Sequence, residues 1–455
     1  MTEKFINLKN VAPITLSADF KGWIDDNSLP RFIVDTVDQL NTSALEKRYN
    51  SSGSKAFPPK MMLALIFYCY VSGIFSSRKI EKASYELIPV IFITHGLHPD
   101  HSVIAKFRKK FLEEVEGIFL QILQIAAEMG VLKLGDVSID GTKIKANASK
   151  HKAMSYAYAQ KLEEKLKEEI ATLLAKAAEA DNESNINEID IPGEVERQEV
   201  RLAKIGSIKV EIEARRKERY EQDKKAHENK LAERARKEQE SGRKLRGKQA
   251  AAPDETPKPS DQMNLTDGES RIMPVSGGGF EQAYNAQASV DMSTMIIVGN
   301  HLTQNTNDKK ELEPALETLT SLPQELGQVS RVAADNGCKS EANIVLSESQ
   351  GVELYVPAGR QKHNEKLEEL LAEEPSRPEN PTPSESLKYR MKTKAGKAFY
   401  AMRKSTVEPV FGIIKSAMGF RSFSYRGLEL ASGEWNLVCL AYNLKRLCAL
   451  KMKTT

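Results

Sequence analysis

The sequence predicts an α+β protein of more than one domain: an all-helical N-terminal part, then a mixed α/β part carrying a long helical-hairpin insertion. Three observations predict it. Residues 1 to about 130 show helical spacing and helix-start signals without strand alternation. Val137-Ser-Ile139-Asp140-Gly-Thr142-Lys-Ile144 alternates apolar and polar residues as a half-buried strand does, and the pattern resumes at Gln282–Val290. Between them Leu162, Leu166, Ile170, Leu173 and Ala177 step at helical spacing.

The chain of 455 residues is long enough for two or three domains. Its net charge is only +3, yet lysine and arginine cluster at 106–110, 143–152, 215–248 and 388–404. Local basic stripes on a near-neutral total fit a protein that meets a polyanion on one side, although 215–248 reads more simply as solvated helix. Cys69, Cys338, Cys439 and Cys448 show neither CxxC pairs nor a disulfide spacing, which predicts reduced thiols and a cytoplasmic location. No segment resembles a signal peptide. The longest apolar run, Met61 to Phe75, is too short to span a bilayer, so no membrane partner is expected.

In chain order, Pro58-Pro59-Lys60 opens a core helix through Val71, and Ser76–Lys79 starts the next. His98-Pro99-Asp100-His101-Ser102 is a turn ending in a helix cap. The helix after it sets Val103, Phe107 and Phe111 on one face, with Lys106, Arg108, Lys109 and Lys110 over the rest, the pattern of a helix that reads DNA. His95, His98 and His101 lie across a proline turn without a cysteine partner, a poor metal set.

After the Asp140 strand and the helix through Leu162–Ala177, a second, charged helix runs from Glu194 to about Arg246, with Leu202, Ile205 and Ile212 placed to pack on the first. Gln282–Val290 and Met295–His301 form a hairpin around Asp291-Met-Ser293. Lys309–Leu319 reads as a helix capped near Asn307-Asp308, Val332–Gly337 as a strand ending in a turn, Ser340–Ser347 as a helix, and Val352–Val356 as a strand. One helix is expected from about Thr393 to Ala417 and a closing helix from about Leu428 to Leu447. The layout is therefore 1–130 helical, 131–149 with 263–455 mixed α/β, 150–262 hairpin and linker, and 361–392 a mobile polar loop within the mixed part.

Three carboxylates stand out. Asp140 lies within a strand, where aspartate is disfavoured. Asp335 ends a strand, with Gly337 after it to permit a sharp turn. Glu408 borders the apolar stripe Val407, Val410, Phe411 and Ile414 on a late helix. Carboxylates suit Mg²⁺ or Mn²⁺, and two such ions serve phosphodiester chemistry. Asp308 is a rival carboxylate that reads as an ordinary helix cap.

At these residues the sequence resembles the DDE-type transposases of bacterial insertion sequences, which have a ribonuclease-H-like catalytic domain. The N-terminal part is similar to the helical domain of the InsH-type branch through Phe57-Pro58-Pro59-Lys60, Gly73–Lys79 and Pro99–Arg108. The catalytic part is similar at Ser138-Ile-Asp140-Gly-Thr142-Lys, at Ala334-Asp335-Asn-Gly337, and at Tyr400-x-x-Arg403 followed by Val407-Glu408 and Lys415. The family signature has three residues between Arg and Glu; here four separate Arg403 from Glu408.

The resemblance implies that Asp140, Asp335 and Glu408 are catalytic and ligate two Mg²⁺ (or Mn²⁺) ions. It implies that Tyr400, Arg403 and Lys415 contact DNA phosphates near the cut. Lys106, Arg108 and Lys109 are the candidates for end recognition. The expected activity is cleavage of double-stranded DNA at element ends and strand transfer into target DNA, by a homodimer on DNA in the bacterial nucleoid. Two alternatives stand beside it: a metal-dependent endonuclease on the same fold without strand transfer, and a non-catalytic helical DNA-binding or scaffold protein.

Overall fold

The computed structural model describes residues 22, 24–49, 56–112, 114–182, 191–243, 251–275, 277–357, 378–379 and 381–454. Contacts divide the chain into two units, 1–147 with 272–455, and 148–271. The N-terminal helices thus share a unit with the residues expected to form the mixed part.

In the larger unit the chain starts with α1 (Leu29–Gln39), α2 (Ser43–Glu46), α3 (Pro59–Val71), α4 (Ser77–Glu86), α5 (Ile88–Thr94), α6 (His101–Phe111) and α7 (Val115–Glu128). α3 is apolar all round and buried almost throughout, as a central helix must be. α6 is capped as expected: the Asp100 carboxylate accepts from the backbone N–H groups of Ser102 and Val103 at 2.7 and 3.1 Å. No helix among the described residues is long and apolar enough to cross a membrane.

The sheet begins with β1 (Leu134–Lys145). β4 (Arg271–Pro274) and β6 (Ile297–Thr303) both pair with β5 (Phe280–Asp291), which runs antiparallel to β1. On the other edge of β1 lie β7 (Gly327–Ala333) and then β8 (Glu353–Tyr355), both parallel to it. Asp136 lies in β1, and its carboxylate accepts from Nε and a terminal nitrogen of Arg331 at 2.7 and 2.5 Å. α10 (Leu312–Thr320) follows β6 and α11 (Glu341–Ser349) follows β7.

The closing helix, α15 (Leu428–Thr454), packs on β6, α3 and α7, and joins the N-terminal helices to the sheet. Its polar side chains take up backbone groups of the β5–β6 hairpin. Trp435 donates to the Gln287 carbonyl at 3.0 Å, and Asn443 bonds both the N–H and C=O of Ile297 at 2.9 and 2.7 Å. A buried amide satisfied at both ends fixes register as well as adding stability.

The smaller unit holds the predicted helical pair, α8 (Tyr156–Asn182) and α9 (Ile191–Ser241), with a two-stranded sheet of β2 (Ala153–Ser155) and β3 (Gln262–Asn264). Leu166 of α8 meets Ile205, Ile208 and Ile212 of α9, with Leu162 and Leu202 at the margin. The loop expected around 361–392 lies outside the described residues up to 377, and its end is helical: α12 (Pro383–Lys392) opens with a capping box between Thr382 and Glu385.

All four cysteines are buried and free, and burial pushes the Cys69 and Cys338 thiols up to about 12. Thiolate is the reactive form. The native protein at neutral pH is therefore expected to resist a chromogenic disulfide reagent, and all four thiols should react once denaturant is added. Fast labelling of native protein would contradict this burial.

Candidate active site

The β1–β7 ladder runs in parallel register to its last rung, Ser138 opposite Ala333. Asp140 and Asp335 each lie two residues beyond it: Asp335 just past the carboxyl end of β7, and Asp140 within β1, which runs on to Lys145. The carboxyl ends of parallel strands are where open α/β sheets bind ligands. A register link therefore brings together two carboxylates 195 residues apart in the chain.

Glu408 comes from the late helical stretch, which is not one helix. α12 ends at Lys392, and Thr393 caps α13 (Lys394–Met402). A 3₁₀ turn at Arg403–Ser405 precedes α14 (Val407–Gly412), and a π turn spans Ile413–Ala417. The stripe Val407, Val410, Phe411 and Ile414 is buried as expected, with α14 packed on β1 and β5. Between Arg403 and Glu408 the helical path is broken, by the 3₁₀ turn and by Thr406 at φ −113° and ψ −79°. Arg403 faces both carboxylates: one terminal nitrogen lies 2.7 Å from Asp140 Oδ2, the other 3.7 Å from Glu408 Oε1.

The Arg403 side chain is 8% exposed, and among the described residues its buried Nε has no hydrogen-bond partner. Glu408, at 52%, opens to solvent. Burial raises the Asp140 carboxyl from 3.8 to about 6; Arg403 and the Gly141 N–H pull it down, and the charges of Asp335 and Asp308 push it further up. Tyr400 is buried against Ala333, Tyr355 and Phe399, and this burial raises its hydroxyl above the usual range.

Lys415 lies in the π turn, where the wider winding carries it away from the Glu408 face. Its Nζ donates to Thr142 Oγ1 at 2.5 Å and to the Lys143 carbonyl at 3.0 Å, so it braces the strand that carries Asp140. Gly337 does not have a left-handed φ, so the expected conformational reason for a glycine there does not apply. Asp308 is not a helix cap either. α10 starts later, with Glu311 at its N-cap. Asp308 Oδ1 instead accepts from Asn285 Nδ2 and Gln287 Nε2, both at 2.7 Å.

These amides, with Gly141, were not singled out by sequence reasoning. The signals were a glycine inside a strand and polar residues alternating along β5. The need at Gly141 is steric: a Cβ there would lie 2.0 Å from Gln287 Nε2 and 2.6 Å from Asp308 Oδ1.

The N-terminal candidates separate. Lys106 and Lys109 are exposed on α6, but Arg108 is only 7% exposed and lies on the inner face with Ile104, Phe107 and Phe111. The inner face is thus one residue out of the expected pattern, with Ile104 where Val103 was expected. Arg108 donates to the hydroxyls of Tyr425 and Tyr70 at 2.8 and 3.1 Å and to the Phe75 carbonyl at 2.5 Å, beside the fully buried Glu434. In this arrangement its guanidinium ties α6 to the core and is not presented to DNA. Removing one partner of such a network leaves an uncompensated buried charge. Arg108→Ala is expected to lower stability by about 3–5 kcal/mol, read as a lower urea midpoint, whereas Lys109→Ala should leave the midpoint within about 0.5 kcal/mol of wild type.

Among the described residues, no three His, Cys, Asp or Glu side chains stand close enough to hold a metal ion as placed. The donor chemistry nonetheless suits a hard divalent ion: the candidates are all carboxylates. Asp140 and Glu408 already share one cationic group with an unsatisfied buried nitrogen, and the charge of Asp335 acts on both Asp140 and Arg403.

Residues 375–448 match the family model described as a transposase DDE domain. Residues 18–110 match one described as a transposase domain, DUF772. The first match includes Tyr400, Arg403, Glu408 and Lys415; the second includes Lys106, Arg108 and Lys109. No curated protein and no solved structure matches the chain.

Proposed function

We propose that the chain is a DDE-type insertion-sequence transposase, a reading supported by the matches over residues 18–110 and 375–448, and that it cuts double-stranded DNA at element ends and joins the freed strand to target DNA. The observation that supports this best is Arg403, which is paired with Asp140, lies 3.7 Å from Glu408 and feels the charge of Asp335. The strand arrangement supports a ribonuclease-H-like catalytic domain: an antiparallel β6-β5-β1 run continues into parallel β7 and β8.

Asp140, Asp335 and Glu408 would hold two Mg²⁺ or Mn²⁺ ions, which when bound supply Lewis-acid polarisation of a phosphoryl oxygen and a nucleophile at neutral pH. The chain's own part is positioning and charge. Burial of Arg403 keeps its guanidinium near the carboxylates, where it offsets their mutual repulsion. The same group has donors to offer a phosphate, for which its planar fork is suited. Lys415, fastened to β1, places a second cation at the strand's edge. On α6, Lys106 and Lys109 are left as the exposed candidates for end contacts. Two element ends must be held together, so a homodimer on DNA is part of the reading.

The test is incubation of labelled element-end duplex and unlabelled target DNA with Mg²⁺, followed by separation of cut and joined products. Joined products support a transposase. Cutting without joining supports the endonuclease, and specific binding with neither supports the non-catalytic DNA-binding protein.

A further inference from the structure

Among the described residues the β7 side of β1 has no ladder partner from beyond Ser138 up to Ile144, while β5 continues to pair with it through Lys145. Two lysines reach this open edge. Lys143 lies opposite Asn285, and Gly141 opposite Gln287, so these four residues share one face of the sheet. On that face Asp308 sits in the amide cradle and lies 3.5 Å from the Lys143 ammonium. Lys415 approaches the same backbone through Thr142 and the Lys143 carbonyl, and among the described residues it has no carboxylate partner.

The two ammonium groups differ in their surroundings. Lys143 is paired with Asp308, whose oxygen already accepts from two amides, and also feels the charges of Glu311 and Asp140, whereas the charge acting on Lys415 is that of Lys143. Burial lowers the pKa of both lysines; at Lys143 the charges of Asp308, Glu311 and Asp140 oppose this, and at Lys415 the charge of Lys143 adds to it, so an added anion is most favourable where it can reach Lys415 and Lys143 together. Each ammonium has three protons to donate. Lys415 places two, and Lys143 places one on Asp308, so three remain for an anionic oxygen ligand.

We infer that Lys143 is a second phosphate-binding residue beside Lys415, and that Asp308 is the positioning residue that holds it. The ligand is a phosphodiester group of the DNA strand entering the site. Asp308 acts through Lys143 and does not touch the DNA. This inference rests on the transposase reading and adds two residues to it. It also accounts for Gly141, since any side chain there would strike the cradle that fixes Asp308.

The experiment measures binding of a fluorescent element-end duplex in EDTA over a range of salt concentrations. Each phosphate contact contributes about 0.9 to the slope of log K against log salt on duplex DNA. Lys143→Gln and Lys143→Met are each expected to reduce the slope by about 0.9, with Lys143→Arg restoring it. Two truncations are used so that a folding defect in one, seen by thermal melting, leaves the other. By charge alone Asp308→Asn should tighten binding, because it removes a negative group. Loss of positioning instead weakens it several-fold with Lys143 still charged. An unchanged slope in the folded Lys143 truncations, or tighter binding by Asp308→Asn, overturns the inference and leaves the transposase reading intact. Failure of the wild type to bind the duplex overturns both.

Discussion

Glu408→Gln is expected to lower metal-dependent DNA cleavage by about 10³-fold while leaving DNA binding and stability near wild type. The substitution keeps size and hydrogen-bonding capacity and removes the charge that a divalent ion requires. Transition-state charge stabilisation by a metal is worth several kcal/mol, and about 4 kcal/mol corresponds to a thousandfold in rate. Stability should move by no more than about 0.5 kcal/mol, since the side chain is half exposed and its contact with Arg403 is long. The measurement is single-turnover cleavage of labelled element-end duplex in Mg²⁺ and in Mn²⁺, beside equilibrium binding in EDTA. Equal cleavage by wild type and variant would move the chemistry away from this carboxylate and would sink the site as drawn.

Arg403→Met is expected to be the most destabilising change in the site, and its effect should depend on pH. Methionine keeps an unbranched stem of similar reach but removes the cation that faces Asp140. Leaving a partly buried carboxylate unpaired typically costs about 3–5 kcal/mol. The sign follows from Asp140, whose pKa is raised from 3.8 to about 6 in the folded protein. Its own contribution favours the fold at low pH and is lost as pH rises from 3.8 through about 6. The Arg403–Asp140 pair exists only when Asp140 is ionised. Without Arg403 the Asp140 carboxyl is pushed higher still, so the gap in stability between wild type and variant should be full only above the variant's raised value and should shrink as pH falls toward about 6. Urea unfolding at a series of pH values measures the gap. A gap that is constant across the range would mean that Arg403 acts through packing alone.

Much of this was legible in the chain. Helices α3 and α6, the β5–β6 hairpin and the closing helix follow from local periodicity and capping, because each depends on residues close in sequence. The breaks around Arg403 were not legible. A 3₁₀ turn, an α segment and a π turn carry the same apolar spacing as one straight helix over so short a stretch. Asp308 was misread for a related reason: an aspartate before a helical pattern is an ordinary cap, and only the cradle from β5 shows otherwise. Arg108 sits in a basic run that reads as surface, yet its phase on α6 turns it toward Tyr70, Tyr425 and Glu434.

The sequence alone determined most of the elements and their order, the buried stripe from Val407 to Ile414, the cysteines as unpaired thiols, and the carboxylates worth attention, since each is a property of residue type and short-range spacing. Only the tertiary structure decided which of those residues meet. Parallel register sets Asp140 beside Asp335 across 195 residues, and helix winding turns Arg403 toward the carboxylates and Lys415 toward β1. Register and phase are fixed by packing between distant segments, and a one-residue shift in either would send the same side chain to the opposite face.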